Sequence, residues 1–138
     1  LTLNDAVFGR DRLAEIAACG TPLAGFFGRV CETTLAFDES VGIPGTTHPD
    51  SLSVAVLLHP DLVTRSSRCH VAVESESTLT RGYSAVSWGV HGLEPNTDVV
   101  EAVDADRFYA YLRDILARPT TPNRTYATPV VTSSAEPS

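Results

Sequence analysis

The most informative segment of the chain reads His48-Pro49-Asp50-Ser51-Leu52-Ser53-Val54-Ala55-Val56-Leu57-Leu58-His59-Pro60. It follows a loop rich in glycine and proline, and it places one carboxylate, that of Asp50, at the start of an apolar run. Because Asp50 is a good helix N-cap and Pro60 a good stop, we interpret the run as a short buried helix, although its periodicity also fits a buried strand. A carboxylate at such a point can project into a cleft, but helix capping alone also explains it.

Two helices are predicted ahead of this segment. The first covers residues 8–18, where apolar side chains fall at helical spacings, and Gly20 follows in the place of a left-handed C-terminal cap. The second begins after Thr21, whose hydroxyl can cap it, with Pro22 at the first helical position. Apolar residues then recur at every third or fourth position to about Phe37, which predicts a helix with one face turned toward a core.

Strands and one more helix are predicted after Pro60. The strand segments are residues 68–76, 83–88 and 98–103. Three strands in succession suggest a small antiparallel meander or additions to a larger sheet. Asp104 then caps a helix that carries an apolar stripe and ends near Arg118. Residues 119–138, which are rich in proline, threonine and serine, are predicted to form a tail.

The composition is that of one globular domain, with 138 residues of which 43% are apolar and 20% charged. The formal charge of −7 comes with scattered basic residues, so a nucleic acid partner is not expected. The longest apolar run is far below the ~20 residues that span a bilayer. Three widely spaced cysteines without a CxxC pair indicate buried thiols and a reducing, cytoplasmic compartment. The chain starts without methionine or a signal sequence, and we expect it to be a segment of a longer protein.

Three regions of the chain carry a resemblance, and they follow one another in order. The second and third regions consist of two segments each. Residues 48–56 read His-Pro-Asp-Ser-Leu-Ser-Val-Ala-Val, and residues 70–74 and 79–82 read His-Val-Ala-Val-Glu and Leu-Thr-Arg-Gly. Residues 95–99 read Pro-Asn-Thr-Asp-Val, and residues 103–108 read Val-Asp-Ala-Asp-Arg-Phe. They resemble motifs of the inosine-uridine preferring nucleoside hydrolase family, with Asp50 in the position of the Asp in the family's His-Asp-Pro-Leu-Ala-Val-Ala. The similarity covers residues 1–118, and three motifs in the right order make chance a poor explanation.

The resemblance implies an α/β fold, of which residues 1–118 form the C-terminal portion of an open, mostly parallel sheet flanked by helices. Composition and periodicity alone indicate only mixed α and β structure. The implied activity is hydrolysis of the N-glycosidic bond of a ribonucleoside to ribose and a free base. In the family, an Asp-rich N-terminal motif and one late Asp bind calcium, and the ion activates the attacking water.

Asp50 matches this late metal ligand. Because Ca²⁺ takes six to eight oxygen ligands, one Asp cannot build the site. The resemblance therefore implies that the missing N-terminal part of the fold is a partner, and that this chain is incomplete alone. A homo-oligomer is also expected.

Two positions depart from the family pattern. Pro49 stands where the family usually has a His that protonates the leaving base or, in purine-specific members, an aromatic residue. Proline can neither donate a proton nor stack in this way, so His48, one position earlier, is the candidate acid, with a solvated loop histidine as the alternative. Phe37 lies in the stretch that closes over the base in the family, and it is either a stacking residue or part of the core.

Two other classes of protein remain open. The chain could belong to a degenerate, non-catalytic family member that keeps the fold and binds a ligand or partner, which the presence of Pro49 favours. It could also be a separate α/β binding module that only mimics the family. The sequence alone does not reveal the preferred base.

Overall fold

In a computed structural model of the chain, residues 5–89 and 92–119 are described. Within them the chain alternates short strands and helices before it enters a longer sheet. The elements in chain order are β1 (Val7–Phe8), α1 (Arg10–Ala17), α2 (Pro22–Ser40), β2 (Thr46–Thr47), α3 (Pro49–Leu58), a 3₁₀ turn (Pro60–Leu62), β3 (Val63–Val73), β4 (Ser84–Ser87), β5 (Thr97–Val103) and α4 (Ala105–Leu116).

Two antiparallel sheets form within the described residues. β1 pairs with β2, so that Phe8 lies opposite Thr46. In the second sheet β3 lies in the centre, with β4 and β5 on either side, so the three strands do not form a meander. The mixed α/β class is confirmed. The described strands are antiparallel, however, and the open, mostly parallel sheet that we expected is not confirmed.

The core packs around Phe8, which is fully buried on β1. Its ring centroid lies 5.6 Å from that of Phe108 and 5.4 Å from that of Tyr109, both on α4. The other buried residues of this core are Ala6, Ile16, Ala24, Leu52, Ala55, Leu62, Val103 and Leu116. Since full burial of one large apolar side chain contributes about 1.5–3 kcal/mol, this cluster ties the start of the described chain to α3 and α4.

The local capping signals for α2 and α4 are confirmed. The Thr21 hydroxyl accepts a hydrogen bond from Ala24 N at 3.0 Å, and Pro22 is the first residue of α2. The Asp104 carboxylate accepts a hydrogen bond from Arg107 N at 3.0 Å at the start of α4. Both caps satisfy N–H groups that would otherwise lack a partner in the first turn of a helix.

The other two helices begin elsewhere than predicted. α1 does not include Phe8, because that residue pairs with Thr46 in the small sheet. α3 starts at Pro49, and its N-cap residue is His48, so Asp50 lies in the first turn and is not the N-cap. Proline suits the first helical position because the N–H that it lacks would have no partner there.

α3 is also less buried than predicted. Leu52 and Ala55 are its buried residues. Val54, Leu57 and Leu58 are 56%, 79% and 60% exposed. Apolar helix faces of this kind are typical of surfaces that contact other protein.

The three cysteines are free thiols, of which Cys31 and Cys69 are buried and Cys19 is half-buried. Burial raises the pKa of the Cys31 thiol to about 11. Because the thiolate is the reactive form, Cys31 is inert at neutral pH, and this side chain acts as a small apolar residue on the buried face of α2.

Two further points concern the predicted tail and the described helices. Residues 119–138, which we predicted to be a tail, lie outside the described residues except for Pro119. Among the helices of residues 5–89 and 92–119, none has the combination of length and apolar character that crossing a bilayer requires.

Gly45→Ala is expected to destabilise the chain, because a Cβ at this position would lie 2.5 Å from Phe8 O and 2.9 Å from Gly9 N. Relief of this contact would separate the backbones of β1 and β2, so we expect the free energy of unfolding to fall by about 1–3 kcal/mol. Gly28→Ala is the control, since it lies within α2 and a Cβ there meets no atom within 4 Å. It should raise the free energy of unfolding by about 0.5–1 kcal/mol. Urea denaturation of both variants measures these changes, and equal midpoints would show that the approach of Gly45 to β1 does not constrain the fold.

Candidate active site

Asp50, the predicted metal ligand, has an exposed side chain in the first turn of α3. It lies at an open groove of about 380 Å³ between α3 and α4. The groove is otherwise lined mainly by apolar side chains, which together with Ser51 are Val54, Ala55, Leu58, Phe108, Tyr111, Leu112 and Ile115. A negative charge is favoured at a helix N-terminus, because the first backbone N–H groups carry partial positive charge. The arrangement therefore leaves a hard oxygen ligand accessible from outside the described chain.

The backbone that carries Asp50 is held on one side by β1. His48 N donates a hydrogen bond to Ala6 O at 3.1 Å, immediately after the paired residues of β2. Leu52 N donates to His48 O at 3.0 Å, which closes the first turn of α3. The carboxylate of Asp50 thus projects from a backbone with fixed partners on both sides.

On the opposite side of β2, the segment is held by Asp38, a residue that sequence analysis did not identify as important. Asp38 is only 5% exposed. Its Oδ2 atom accepts hydrogen bonds from Thr47 N at 3.0 Å and from Thr47 Oγ1 at 3.2 Å. The sequence contains one signal for this role, because Asp38 shares a helical face with the buried residues Cys31 and Leu35. A carboxylate on that face needs a hydrogen-bonding partner.

His48, the candidate acid, is buried and is not a solvated loop histidine. Its ring centroid lies 4.5 Å from that of Phe8 and 5.3 Å from that of Phe27. Burial lowers the pKa of His48 from its usual 6.5 to about 4, and the negative charge of Asp38 opposes this effect in part. The ring is therefore neutral at pH 7. Its Nε2 atom is buried and has no hydrogen-bonding partner in the described part of the chain.

Phe37, the candidate stacking residue, lies in the last turns of α2 and is 66% exposed. It is therefore not a core residue, which was the alternative to a stacking role. Phe26, Val30 and Val41 are exposed on the same side of α2 and just beyond its end. An exposed aromatic ring is available to a planar ligand, although no described contact connects Phe37 to Asp50.

The described residues do not contain a complete metal site. Within residues 5–89 and 92–119, no group of three or more His, Cys, Asp and Glu side chains lies close enough together to hold an ion. Asp50 fits the oxygen chemistry that Ca²⁺ prefers, but only as one ligand among several. Among the described residues, Asp50 is therefore not part of a side-chain group that could hold the ion without further ligands.

The sequence of the chain matches one known protein family. The profile of the family described as "Inosine-uridine preferring nucleoside hydrolase" matches residues 1–110. The chain belongs to this family, and the resemblance noted in its motifs is confirmed.

Two sequence relatives illustrate how much of the family fold the chain covers. An uncharacterized protein of Schizosaccharomyces pombe is 37% identical over 81 residues, which are 58% of this chain and 26% of that protein. Pyrimidine-specific ribonucleoside hydrolase RihA of Klebsiella pneumoniae is 31% identical over 101 residues, which are 71% of this chain and 32% of that protein. The chain thus spans between about a quarter and a third of the length of these curated relatives.

Solved structures agree on the fold. The purine-preferring ribonucleoside hydrolase from Gardnerella vaginalis superposes with a TM-score of 0.67 at 21% identity, over 84% of this chain and 37% of that one. An inosine-guanosine nucleoside hydrolase gives a TM-score of 0.68 at 24% identity, over 83% of this chain and 36% of that one. These similarities show that the chain has part of the nucleoside hydrolase fold.

We expect the free energy of unfolding of the chain to fall as the pH drops from about 6.5 to about 4. Folded His48 takes up a proton only near pH 4, whereas the same side chain in the unfolded state is protonated near pH 6.5. The unfolded state therefore binds more protons within this window, and acid favours unfolding by up to roughly 3 kcal/mol.

Denaturation of the wild type and of His48→Gln at several pH values measures this effect. The difference between the free energies of unfolding of the two proteins should be constant above about pH 6.5 and should change between about pH 6.5 and 4. A difference that does not depend on pH would contradict the burial of His48.

Proposed function

We propose that this chain supplies the C-terminal part of a calcium-dependent ribonucleoside hydrolase, which cleaves the N-glycosidic bond to release ribose and a free base. The observation that carries the proposal is the position of Asp50. In the motif resemblance this residue matches the family's late Asp, and its carboxylate is exposed at the start of a helix whose backbone has fixed partners. Membership of the family supports the reaction class.

In this proposal Asp50 contributes one oxygen ligand to Ca²⁺, and the missing N-terminal part of the fold contributes the others. When bound, calcium would supply positive charge that activates a water molecule for attack at C1′ and orients the ribose hydroxyls. The part played by this chain is to hold the Asp50 carboxylate at a fixed point.

The apolar face of α3 supports the need for a partner. Val54, Leu57 and Leu58 are exposed beside the groove to which Asp50 belongs. The chain spans at most 37% of the length of the relatives described above. We propose that the N-terminal part of the fold covers this face and brings its own acidic residues to Asp50. Association of the completed protein into a homo-oligomer is a further prediction.

His48 remains the candidate for assistance to the leaving base. Because its ring is neutral and lies between Phe8 and Phe27, it could act as a hydrogen-bond donor through Nε2 but not as a full proton source at pH 7. Nε2 is buried, so a base could reach it only after a local rearrangement. Phe37, which is already exposed on α2, remains the candidate for stacking on the base.

A degenerate, non-catalytic member of the family is the second candidate. Two observations favour it, since Pro49 occupies the first position of α3 and offers no proton, and the neighbouring His48 is buried. Such a protein would keep the fold and bind a ligand or partner without hydrolysis. Calcium binding and ribose release distinguish the two functions.

Asp50→Asn is expected to weaken calcium binding by roughly 100-fold or more, because it removes one charged oxygen ligand from the ion. The protein to use is the completed one, which is this chain preceded by the N-terminal part of the fold. Calorimetric titration with Ca²⁺ gives the affinity, and the release of ribose from inosine and from uridine gives the activity, which should fall in parallel.

Asp11→Asn is the matched control for this experiment. Asp11 is the second residue of α1, as Asp50 is of α3, and both side chains are exposed. The control loses the same favourable interaction with a helix N-terminus but should keep calcium affinity and activity. If the completed wild-type protein binds no calcium and releases no ribose, the degenerate function is correct and the hydrolase proposal fails.

Leu57→Gln should weaken the association of this chain with a separately produced N-terminal part of the fold. Leu57 is 79% exposed on α3, and loss of its apolar contacts should raise the dissociation constant about tenfold or more. Leu79→Gln is the control, because Leu79 is 91% exposed but lies in the turn between β3 and β4. Equal dissociation constants for the two variants would contradict the assignment of the α3 face to this contact.

A further inference from the structure

Asp38 is a buried carboxylate in an electrostatically unfavourable place. It lies near the C-terminus of α2, where the partial negative charge of the last carbonyl groups disfavours an anion. It is also withdrawn from water, with an exposure of 5%. A carboxylate that is withdrawn from water needs hydrogen-bond donors in the protein.

Both the side chain and the backbone carbonyl of Asp38 accept hydrogen bonds from the segment between α2 and α3. Asp38 Oδ2 accepts from both the backbone N–H and the hydroxyl of Thr47, at 3.0 and 3.2 Å. The backbone carbonyl of the same residue accepts from Ile43 N at 2.9 Å and from Val41 N at 3.2 Å. Asp38 therefore fixes both the beginning and the end of this loop. Hydrogen bonds to a charged acceptor contribute about 1.5–3 kcal/mol, more than neutral ones.

Thr47 stands three positions before Asp50, and the chain between them has little freedom. Thr47 lies in β2 opposite Val7 of β1, and His48 N is bonded to Ala6 O. From His48 onward the backbone is committed to the first turn of α3. A displacement of Thr47 would therefore move the start of the helix and, with it, the carboxylate of Asp50.

We propose that Asp38 is a positioning residue for Asp50, because it holds Thr47 through two hydrogen bonds and thereby fixes the point from which Asp50 presents its carboxylate to the metal. The inference rests on the proposed function, in which Asp50 is a calcium ligand. Asp38 itself does not touch the ion or the substrate. Residues that orient metal ligands in this way typically change metal affinity by about 10–100-fold when they are removed.

The test compares Asp38→Ala, Asp38→Asn and Glu39→Gln in the completed protein, at a temperature well below the unfolding midpoint of each. Asp38→Ala removes the acceptor, and we expect the calcium dissociation constant to rise by about 10–100-fold. Asp38→Asn keeps an oxygen of similar position that can accept from Thr47 N, so it should recover most of the affinity. Glu39→Gln changes the adjacent, exposed carboxylate and should bind calcium as the wild type does.

A purely structural role predicts a different pattern. In that case folded Asp38→Ala would bind calcium with the affinity of the wild type, and only the unfolding temperature of the variant would be lower. The kinetics should agree with the calcium affinity. If Asp38 acts through the metal ligand, kcat of Asp38→Ala at saturating nucleoside should recover at high calcium concentration. Unchanged calcium affinity in folded Asp38→Ala would overturn the inference.

A second pair of variants keeps the test decisive if Asp38→Ala does not fold. Thr47→Val preserves the size of the side chain but removes its hydroxyl, and we expect a calcium affinity about 3–10-fold lower, which corresponds to one lost hydrogen bond. Thr47→Ser retains the hydroxyl and should restore the affinity. Equal calcium affinities for Thr47→Val and Thr47→Ser would also overturn the inference.

The outcomes also separate this inference from the proposed function. If the completed wild-type protein does not bind calcium, or if Asp50→Asn leaves its affinity unchanged, the proposed function fails and the role of Asp38 falls with it. If Asp50→Asn weakens binding but the Asp38 and Thr47 variants do not, the hydrolase proposal stands and only the positioning role is wrong.

Discussion

The close pairing of β1 with β2 connects two distant parts of the sequence. Gly45 permits it, because a side chain there would collide with the backbone of Phe8. The pairing places the ring of Phe8 against α4 on one side and against His48 on the other. The core and the beginning of α3 consequently share one side chain, so that loss of packing at Phe8 would disturb both.

This connection explains how Asp50 can be exposed and fixed at the same time. Its carboxylate faces solvent, but the backbone three positions earlier is bonded to Asp38, and the backbone two positions earlier is bonded to Ala6. Rigid support and an accessible ligand are the two properties that a metal site requires of a contributing chain.

The sequence predicted those features that depend on neighbouring residues and missed those that depend on distant ones. Thr21 and Asp104 are local caps, and the helices that follow them were predicted correctly. Phe8 was assigned to a helix because its partner, Thr46, is far away in the sequence and the strand has only two residues. The motif predicts that Asp50 is a metal ligand, which stays a prediction, whereas the N-cap assignment of Asp50 was wrong because Pro49 takes the first helical position. The role of Asp38 required knowledge of which donor it meets, and spacing alone gives only its burial.

Under the proposed function, the combination of charge and apolar surface at α3 would link calcium binding to enclosure of this face. Among the described residues no basic side chain forms an ion pair with Asp50, which lies beside the exposed, apolar Val54. If further protein covered the groove without a cation, it would bury an unpaired carboxylate at a cost of several kcal/mol. With a divalent cation bound, the same carboxylate becomes a satisfied ligand, and the apolar contacts add their full contribution. If the proposed function is correct, assembly of the complete fold and calcium binding should therefore be coupled, each favouring the other.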